Sequence, residues 1–242
     1  MEKKEERGAV KVTILYDNFP FLSELLPSHG FSCLVEGEEK VLFDTGESGP
    51  LLFKNMELLG IDPLSISRVV ISHEHYDHIG GLGYLLARNP KVVVYILPSF
   101  SQDAKREIKE RGARFLEVER GMEIAPSVFT TGEVEGPVRE QALVVKGEQG
   151  FLLIGGCCHP GAVKMVEAAA LIGNGKIELL IGGLHLYQSS DEEIMQTLQG
   201  LRQLGVSKIA PSHCSGFAAL DYAQKLWGEN YIASGVGKSF NF

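Results

Sequence analysis

The chain has 242 residues, 44% apolar and 22% charged, with a formal net charge of -8. This suits one large domain or two small ones, and the acidic balance argues against an electrostatic nucleic-acid footprint. No apolar run approaches bilayer-spanning length, and the four cysteines, Cys33, Cys157, Cys158 and Cys214, lack both CxxC spacing and the density of a disulfide scaffold.

Residues 1–8 are expected to form a charged N-terminal tail, with no apolar signal-peptide core behind it. A reducing cytoplasm is the expected location. Gly and Pro are spread along the chain, so residues 9–242 are expected to form a single domain. Ala9 to Tyr16 reads as a strand ending at Asp17-Asn18. Phe31–Val35 and Lys40–Phe43 read as a hairpin around Glu36-Gly37-Glu38-Glu39. Pro50–Leu59 reads as a helix stopped by Gly60. Arg68–Ile71 is a short apolar strand. Gly81–Arg88 is a helix closed by Asn89-Pro90, Lys91–Leu97 a strand, and Ser101–Arg111 a polar, solvated helix. Several short strands are expected between Ala113 and Val145.

The second half repeats a strand-then-helix rhythm. Phe151–Ile154 and Ile177–Ile181 are strands, and a helix follows each, the first over Gly161–Ile172. The later helix carries Ile194, Met195, Leu198, Leu201 and Leu204 at helical spacing. Val206–Ala210 is a strand, Ala218–Trp227 a helix and Tyr231–Ala233 a last strand. The pattern predicts an α/β protein with two sheets covered by helices.

The chemistry lies just past the strands. Ser72-His73-Glu74-His75-Tyr76-Asp77-His78 follows Arg68–Ile71 and holds three imidazoles and a carboxylate within six residues. Charged, those imidazoles repel one another, and a divalent cation resolves the conflict, because neutral imidazole and carboxylate suit zinc or iron. His159, His185 and His213 also each sit just beyond an apolar strand. Ligands in α/β sheets bind outside the carboxyl ends of strands, so together these histidines predict a metal site. Cys157, Cys158 and Cys214 flank the candidates. A thiolate can ligate zinc, but strand alternation turns the neighbours of a ligand away, so the three are expected to pack behind the site. Gly235-Val236-Gly237-Lys238-Ser239 lacks phosphate-loop spacing and is set aside.

His73-x-His75-x-Asp77-His78 resembles the signature of the metallo-β-lactamase superfamily, and Phe43-Asp44-Thr45-Gly46 resembles that superfamily's buried Asp at an early strand end. The resemblance implies a four-layer αβ/βα sandwich with the site along one edge. It implies that His73, His75 and His159 hold a first metal, and that Asp77, His78 and His213 hold a second. Zinc is the leading ion, with iron or manganese as alternatives, at one or two per chain. Asp17-Asn18, His29-Gly30-x-Ser32, Gly156-Cys157-x-His159, Gly182-Gly183-Leu184-His185-Leu186 and His213-Cys214-Ser215-Gly216 resemble a metal-dependent hydrolase branch. Some archaeal members of that branch join a dihydropterin diphosphate to a ribofuranosyl-aminobenzene phosphate.

One departure stands out. Many members carry an Asp that bridges both metals, where this chain reads Ile181-Gly182-Gly183-Leu184-His185. The second metal is therefore expected to bind more weakly, at a more positive site. His185 is a candidate metal ligand or substrate contact, and His29 a candidate substrate contact. The leading expectation is a hydrolase in which metal-activated water attacks an ester, amide or phosphoester bond of an anionic small molecule, with Asp77 as the catalytic carboxylate. The alternatives are a dihydropterin diphosphate-dependent transferase and a non-catalytic metal-binding or sensing protein. No nucleic-acid or membrane partner is expected, and the sequence leaves the oligomeric state open.

Overall fold

The computed structural model describes residues 10–148, 150–173 and 175–242. The charged tail over residues 1–8, and Ala9 at the expected start of the first strand, lie outside them. In chain order the first half comprises β1 (Lys11–Tyr16), β2 (Ser32–Glu36), β3 (Lys40–Phe43), α1 (Gly49–Leu58), β4 (Arg68–Val70), α2 (Tyr76–Ile79), α3 (Leu82–Arg88), β5 (Val93–Ile96), α4 (Gln102–Glu110) and β6 (Arg114–Glu117). There follow β7 (Arg120–Ala125), β8 (Val128–Gly132), β9 (Leu143–Lys146), β10 (Phe151–Gly155), α5 (Ala162–Gly173), β11 (Ile177–Gly183), α6 (Asp191–Gln203), β12 (Lys208–Ser212), α7 (Phe217–Trp227) and β13 (Ser239–Asn241).

Among the described residues the strands form a seven-stranded sheet, β13-β1-β2-β3-β4-β5-β6, and a six-stranded sheet, β12-β11-β10-β9-β8-β7. Each sheet mixes an antiparallel part with a parallel one. In the first sheet β3, β4, β5 and β6 run parallel; in the second, β10, β11 and β12 do. Parallel strands need covered crossovers, and α3, α4, α5 and α6 supply covering helices here.

The period of two in the strands separates the layers. Val12 and Ile14 of β1 and Leu152 and Ile154 of β10 enter one cluster between the sheets. Leu15 of β1 faces the opposite way, toward Leu52 and Met56 of α1 and Leu82 and Leu85 of α3. Phe151 and Leu153 of β10 likewise face Met165 of α5 and Leu198 of α6. Burying each such side chain stabilises the fold by about 1.5–3 kcal/mol. The result is the expected layering, helices, sheet, sheet, helices. Ser190 starts α6 with a capping box closed by Glu193.

One strand differs from expectation. Tyr231–Ala233 forms no ladder, and Tyr231 makes only an isolated bridge to Ile209. The last strand is β13, which pairs antiparallel with the edge strand β1, Lys11 opposite Asn241. No helix among the described residues is long and apolar enough to cross a membrane.

Candidate metal centre

The carboxyl ends of β4, β10, β11 and β12 meet along one edge of the sandwich. After β4 the chain delivers Ser72 and His73, turns at His75 and enters α2, which carries Asp77 and His78. The turn after β10 delivers Cys157 and His159, the one after β11 delivers His185, and the one after β12 delivers His213. Two glycines permit this close approach. At Gly182, φ is +109° and an added Cβ would lie 2.0 Å from the Gly155 carbonyl oxygen. At Gly156, an added Cβ would lie 2.4 Å from Ser72 Oγ. Among the described residues, five non-glycine positions have positive φ; Cys158, His185 and His213 lie at these strand ends and Asp44 just past β3. Such backbone costs of the order of 1–3 kcal/mol per residue and is characteristic of functional sites.

Three groups of donor atoms converge; the third, Cys157, His185 and Cys214, shares Cys157 with the second, and the first two hold the histidine motif. The nitrogens of His73, His75 and His159 lie within 4.8 Å of one another. His73 Nε2 faces His75 Nδ1 at 3.1 Å. The second group gathers Asp77, His78 and His213, and also Cys157. Asp77 Oδ2 lies 3.5 Å from His78 Nε2 and 3.4 Å from His213 Nε2. The groups adjoin, with the His73 and His78 ring centroids 4.2 Å apart.

Asp44, fully buried, ties the groups together. Its Oδ2 accepts hydrogen bonds from His78 Nδ1 and Ser72 Oγ, each at 2.7 Å, and its Oδ1 accepts from the Ser72 N–H at 2.7 Å. With its own proton committed to Asp44, Ser72 Oγ accepts from His73 Nδ1 at 2.9 Å. This network places protons on the Nδ1 atoms of His73 and His78 and turns both Nε2 atoms toward the centre. His213 is set similarly: its Nδ1 donates to Asn18 Oδ1 at 2.8 Å, and the Gly30 N–H donates to the same oxygen.

The first two groups differ electrostatically. Burial, reinforced by the neighbouring histidines, drives His73 well below the ordinary imidazole range and His159 down to about 3. These are neutral donors at neutral pH. Burial opposes charge on His78 as well, but Asp44 and then Asp77 outweigh it and raise its pKa to about 10. Burial likewise resists ionisation of Asp77, yet hydrogen bonds from His213 and His78 hold its carboxyl far below the usual range. The second group thus carries a negative field that favours a cation, whether a proton or a metal ion.

The donor set fits a divalent transition metal. His159 Nε2 is buried and has no hydrogen-bond partner, as a nitrogen reserved for coordination is. Neutral imidazoles and a carboxylate at this spacing are what zinc-like ions take.

The structure brings His73, His75, Asp77, His78, His159, His213 and Asp44 together. His185 is exposed at the rim, its ring centroid 4.1 Å from that of His159. A hydrogen bond to Cys214 raises its pKa against the effect of burial. His29 stands above Asp77, its Nε2 3.7 Å from Oδ2, with Tyr76 Oη 3.3 Å from its Nδ1. Glu74 turns away and accepts hydrogen bonds from Ser101. The cysteines divide. Cys158 packs in the core beneath α5 and α6, and Cys214 donates to the Cys157 carbonyl oxygen. Cys157 does not pack behind the site: its Sγ lies 3.2 Å from His78 Nε2 and 3.3 Å from His213 Nε2. Strand alternation does not reach these residues, because β10 ends at Gly155 and Cys157–His159 is a turn with Cys158 at positive φ.

Glu140 escaped the sequence reading. It is fully buried and accepts the backbone N–H groups of Cys157, Cys158 and His159 at 2.9, 2.9 and 2.8 Å. It therefore braces the turn that feeds both groups. Nothing in its local sequence marks it.

A family model for the metallo-β-lactamase superfamily matches residues 26–213. The chain belongs to the metallo-β-lactamase superfamily. It is 30% identical to the 7,8-dihydropterin-6-methyl-4-(β-D-ribofuranosyl)-aminobenzene-5'-phosphate synthase of Methanocaldococcus jannaschii, over 93% of this chain and 92% of that one. Tm1679, a solved metal-dependent hydrolase of the β-lactamase superfamily, superposes with a TM-score of 0.81 at 29% identity, over 96% of this chain and 99% of that one. YhfI from Bacillus subtilis, a metallo-β-lactamase fold protein, superposes with a TM-score of 0.72 over 97% of this chain and 100% of that one, at 14% identity, a likeness of fold alone. The metallo-β-lactamase fold accounts for the position of the site, since its two sheets open their parallel strand ends on the same edge.

Proposed function

We propose that this protein is a metal-dependent hydrolase acting on an ester, amide or phosphoester bond of an anionic small molecule. The observation that carries this reading is the convergence of His73, His75 and His159 as neutral donors beside the Asp77, His78 and His213 group, with His159 Nε2 unpartnered. The first three residues would hold one ion and the second three another. Zinc is the leading candidate, ahead of iron and manganese. A bound ion of this kind lowers the pKa of water toward neutrality and polarises a carbonyl or phosphoryl oxygen.

The protein's own groups supply the rest. Asp77 stays ionised through its hydrogen bonds to His213 and His78, so it can accept a hydrogen bond from the attacking water and orient it. Asp44 holds His78, and through Ser72 it holds His73, so their Nε2 atoms stay aimed at the centre. His185 and His29 stand at the open rim as donors to a substrate anion, and the raised pKa of His185 suits that task. Stretched over the whole chain, the likeness to the dihydropterin synthase supports a second reading, in which a second substrate rather than water is the attacking partner and a diphosphate departs.

The test is to strip the protein, reload it with Zn(II), Fe(II) or Mn(II), and assay phosphodiesters, phosphomonoesters and carboxylic esters. Dihydropterin diphosphate is then offered with and without the ribofuranosyl-aminobenzene phosphate acceptor. Turnover that needs metal but no acceptor supports the hydrolase; acceptor-dependent release of diphosphate supports the transferase. Metal loading without turnover on any of these substrates would leave a binding or sensing protein. Failure to bind any transition metal after reconstitution would overturn the reading.

A further inference from the structure

We infer that the Cys157 thiolate is the fourth donor of the second metal group, closing it into a tetrahedral Asp77-His78-His213-Cys157 site while the first group keeps an open position. This rests on the metal-dependent reading above and adds a ligand to it.

The geometry is the main support. Donors about 2.0–2.3 Å from a tetrahedral ion lie about 3.3–3.6 Å from one another. Four of the six donor separations are 3.5 Å for Asp77–His78, 3.4 Å for Asp77–His213, 3.2 Å for Cys157–His78 and 3.3 Å for Cys157–His213, and the other two lie within 4.8 Å. All four donors are buried. The hydrogen bonds agree. His78 Nδ1 bonds Asp44 and His213 Nδ1 bonds Asn18, so both rings turn Nε2 toward Asp77 Oδ2 and Cys157 Sγ. A divalent cation among these four atoms would be held by all of them and would displace the thiol proton.

Position and charge also fit. Glu140 pins the Cys157 N–H, so the side chain leaves a braced turn rather than a loose loop. The segment after β11, Gly182-Gly183-Leu184-His185, offers no carboxylate between the ions. A thiolate from the turn after β10 returns the missing negative charge, so that Asp77 and Cys157 together balance a divalent ion. The second ion then has four protein ligands, the pattern of closed sites, and the first has three, the pattern of catalytic sites.

The test uses the full chain freed of metal and titrated with Co(II), read by absorption rather than activity. A thiolate-to-cobalt charge-transfer band in the near ultraviolet should grow as the second ion binds. Cys157→Ser should remove it and weaken the second ion by more than the about 10–100-fold lost when groups that merely support a ligand are changed. Cys214→Ser should keep it. As a check that needs no variant, zinc-edge X-ray absorption of the wild-type protein with two zinc ions should show one sulfur neighbour per two zinc ions. Two bound cobalt ions without the band, a band unchanged in Cys157→Ser, or zinc spectra without sulfur would overturn this inference and leave the metal-dependent reading standing. A protein that binds no cobalt or zinc would overturn both.

Discussion

The first donor group is a set of neutral imidazoles, and the second is a charged, buried network. His73 and His159 are held neutral by burial and by neighbouring histidines, and His75 is exposed toward the rim. In the second group His78 is gripped by Asp44, and Asp77 by two histidines. Both groups draw on the same seven-residue stretch after β4, yet its first half serves one and its second half the other. The difference shows how one local motif can present two kinds of site. The loop supplies the donors, and the partners that reach it from elsewhere set their charge.

Breaking the first group should have the largest effect. Replacing both His73 and His75 with Ala removes two of its three nitrogens. One ion should be lost by elemental analysis, and turnover should fall to the background of the metal-free protein. The second ion should remain. Loss of both ions together would show that the groups are not separable.

Asp44→Asn should act chiefly on the second group. An amide can still accept one hydrogen bond there, but it removes the charge that raises His78 to about 10. The second ion should weaken about 10–100-fold by competition titration, the range found for partners of metal-binding histidines. An equal loss at the first group would mean that the Ser72 link to His73 dominates instead.

Proton release sharpens the contrast. At pH 7.5 the first ion should displace almost no protons, because His73 and His159 titrate far below that pH. The second must displace the His78 proton, whose pKa of about 10 lies above it, and with Cys157 as a ligand it must displace the thiol proton as well. Its affinity should therefore rise about tenfold per pH unit for each proton displaced as the pH climbs toward 10. Calorimetry in buffers of different ionisation enthalpy measures both counts. Equal release at the two steps would contradict the electrostatic difference.

His29→Ala should have the smallest effect. The side chain is about half exposed and lies outside both donor groups. Metal stoichiometry should not change, while KM for an anionic substrate should rise about two- to tenfold, the worth of one hydrogen bond of about 0.5–1.5 kcal/mol. A change in kcat with KM constant would place His29 in the reaction rather than in binding.

Much of this molecule was legible along the chain, because local chemistry carries it. Alternation marked the first strand, short apolar runs marked the others, helical spacing marked α6, and histidines following apolar runs marked the strand ends. Asp44 was marked only by the resemblance of Phe43-Asp44-Thr45-Gly46 to the superfamily's buried Asp, and it does reach His78. Short apolar segments near the C-terminus were ambiguous: Tyr231–Ala233 and Ser239–Asn241 are both only three residues long. Tyr231 bridges only Ile209, whereas Ser239–Asn241 finds the open edge of β1.

What the sequence alone determined, then, is the set of candidate histidine and carboxylate donors and the strand ends that carry them, since ligand chemistry and apolar runs are properties of neighbouring residues. Only the tertiary structure decided how those donors are shared and charged. Glu140 reaches the Cys157–His159 turn from 17 to 19 residues away, and Asn18 orients His213 from 195 residues away. Cys157 meets His78 across 79 residues and across the gap between the two sheets. Such meetings depend on how two sheets stack and which strand ends they bring to one edge, and no local pattern along the chain encodes that distance.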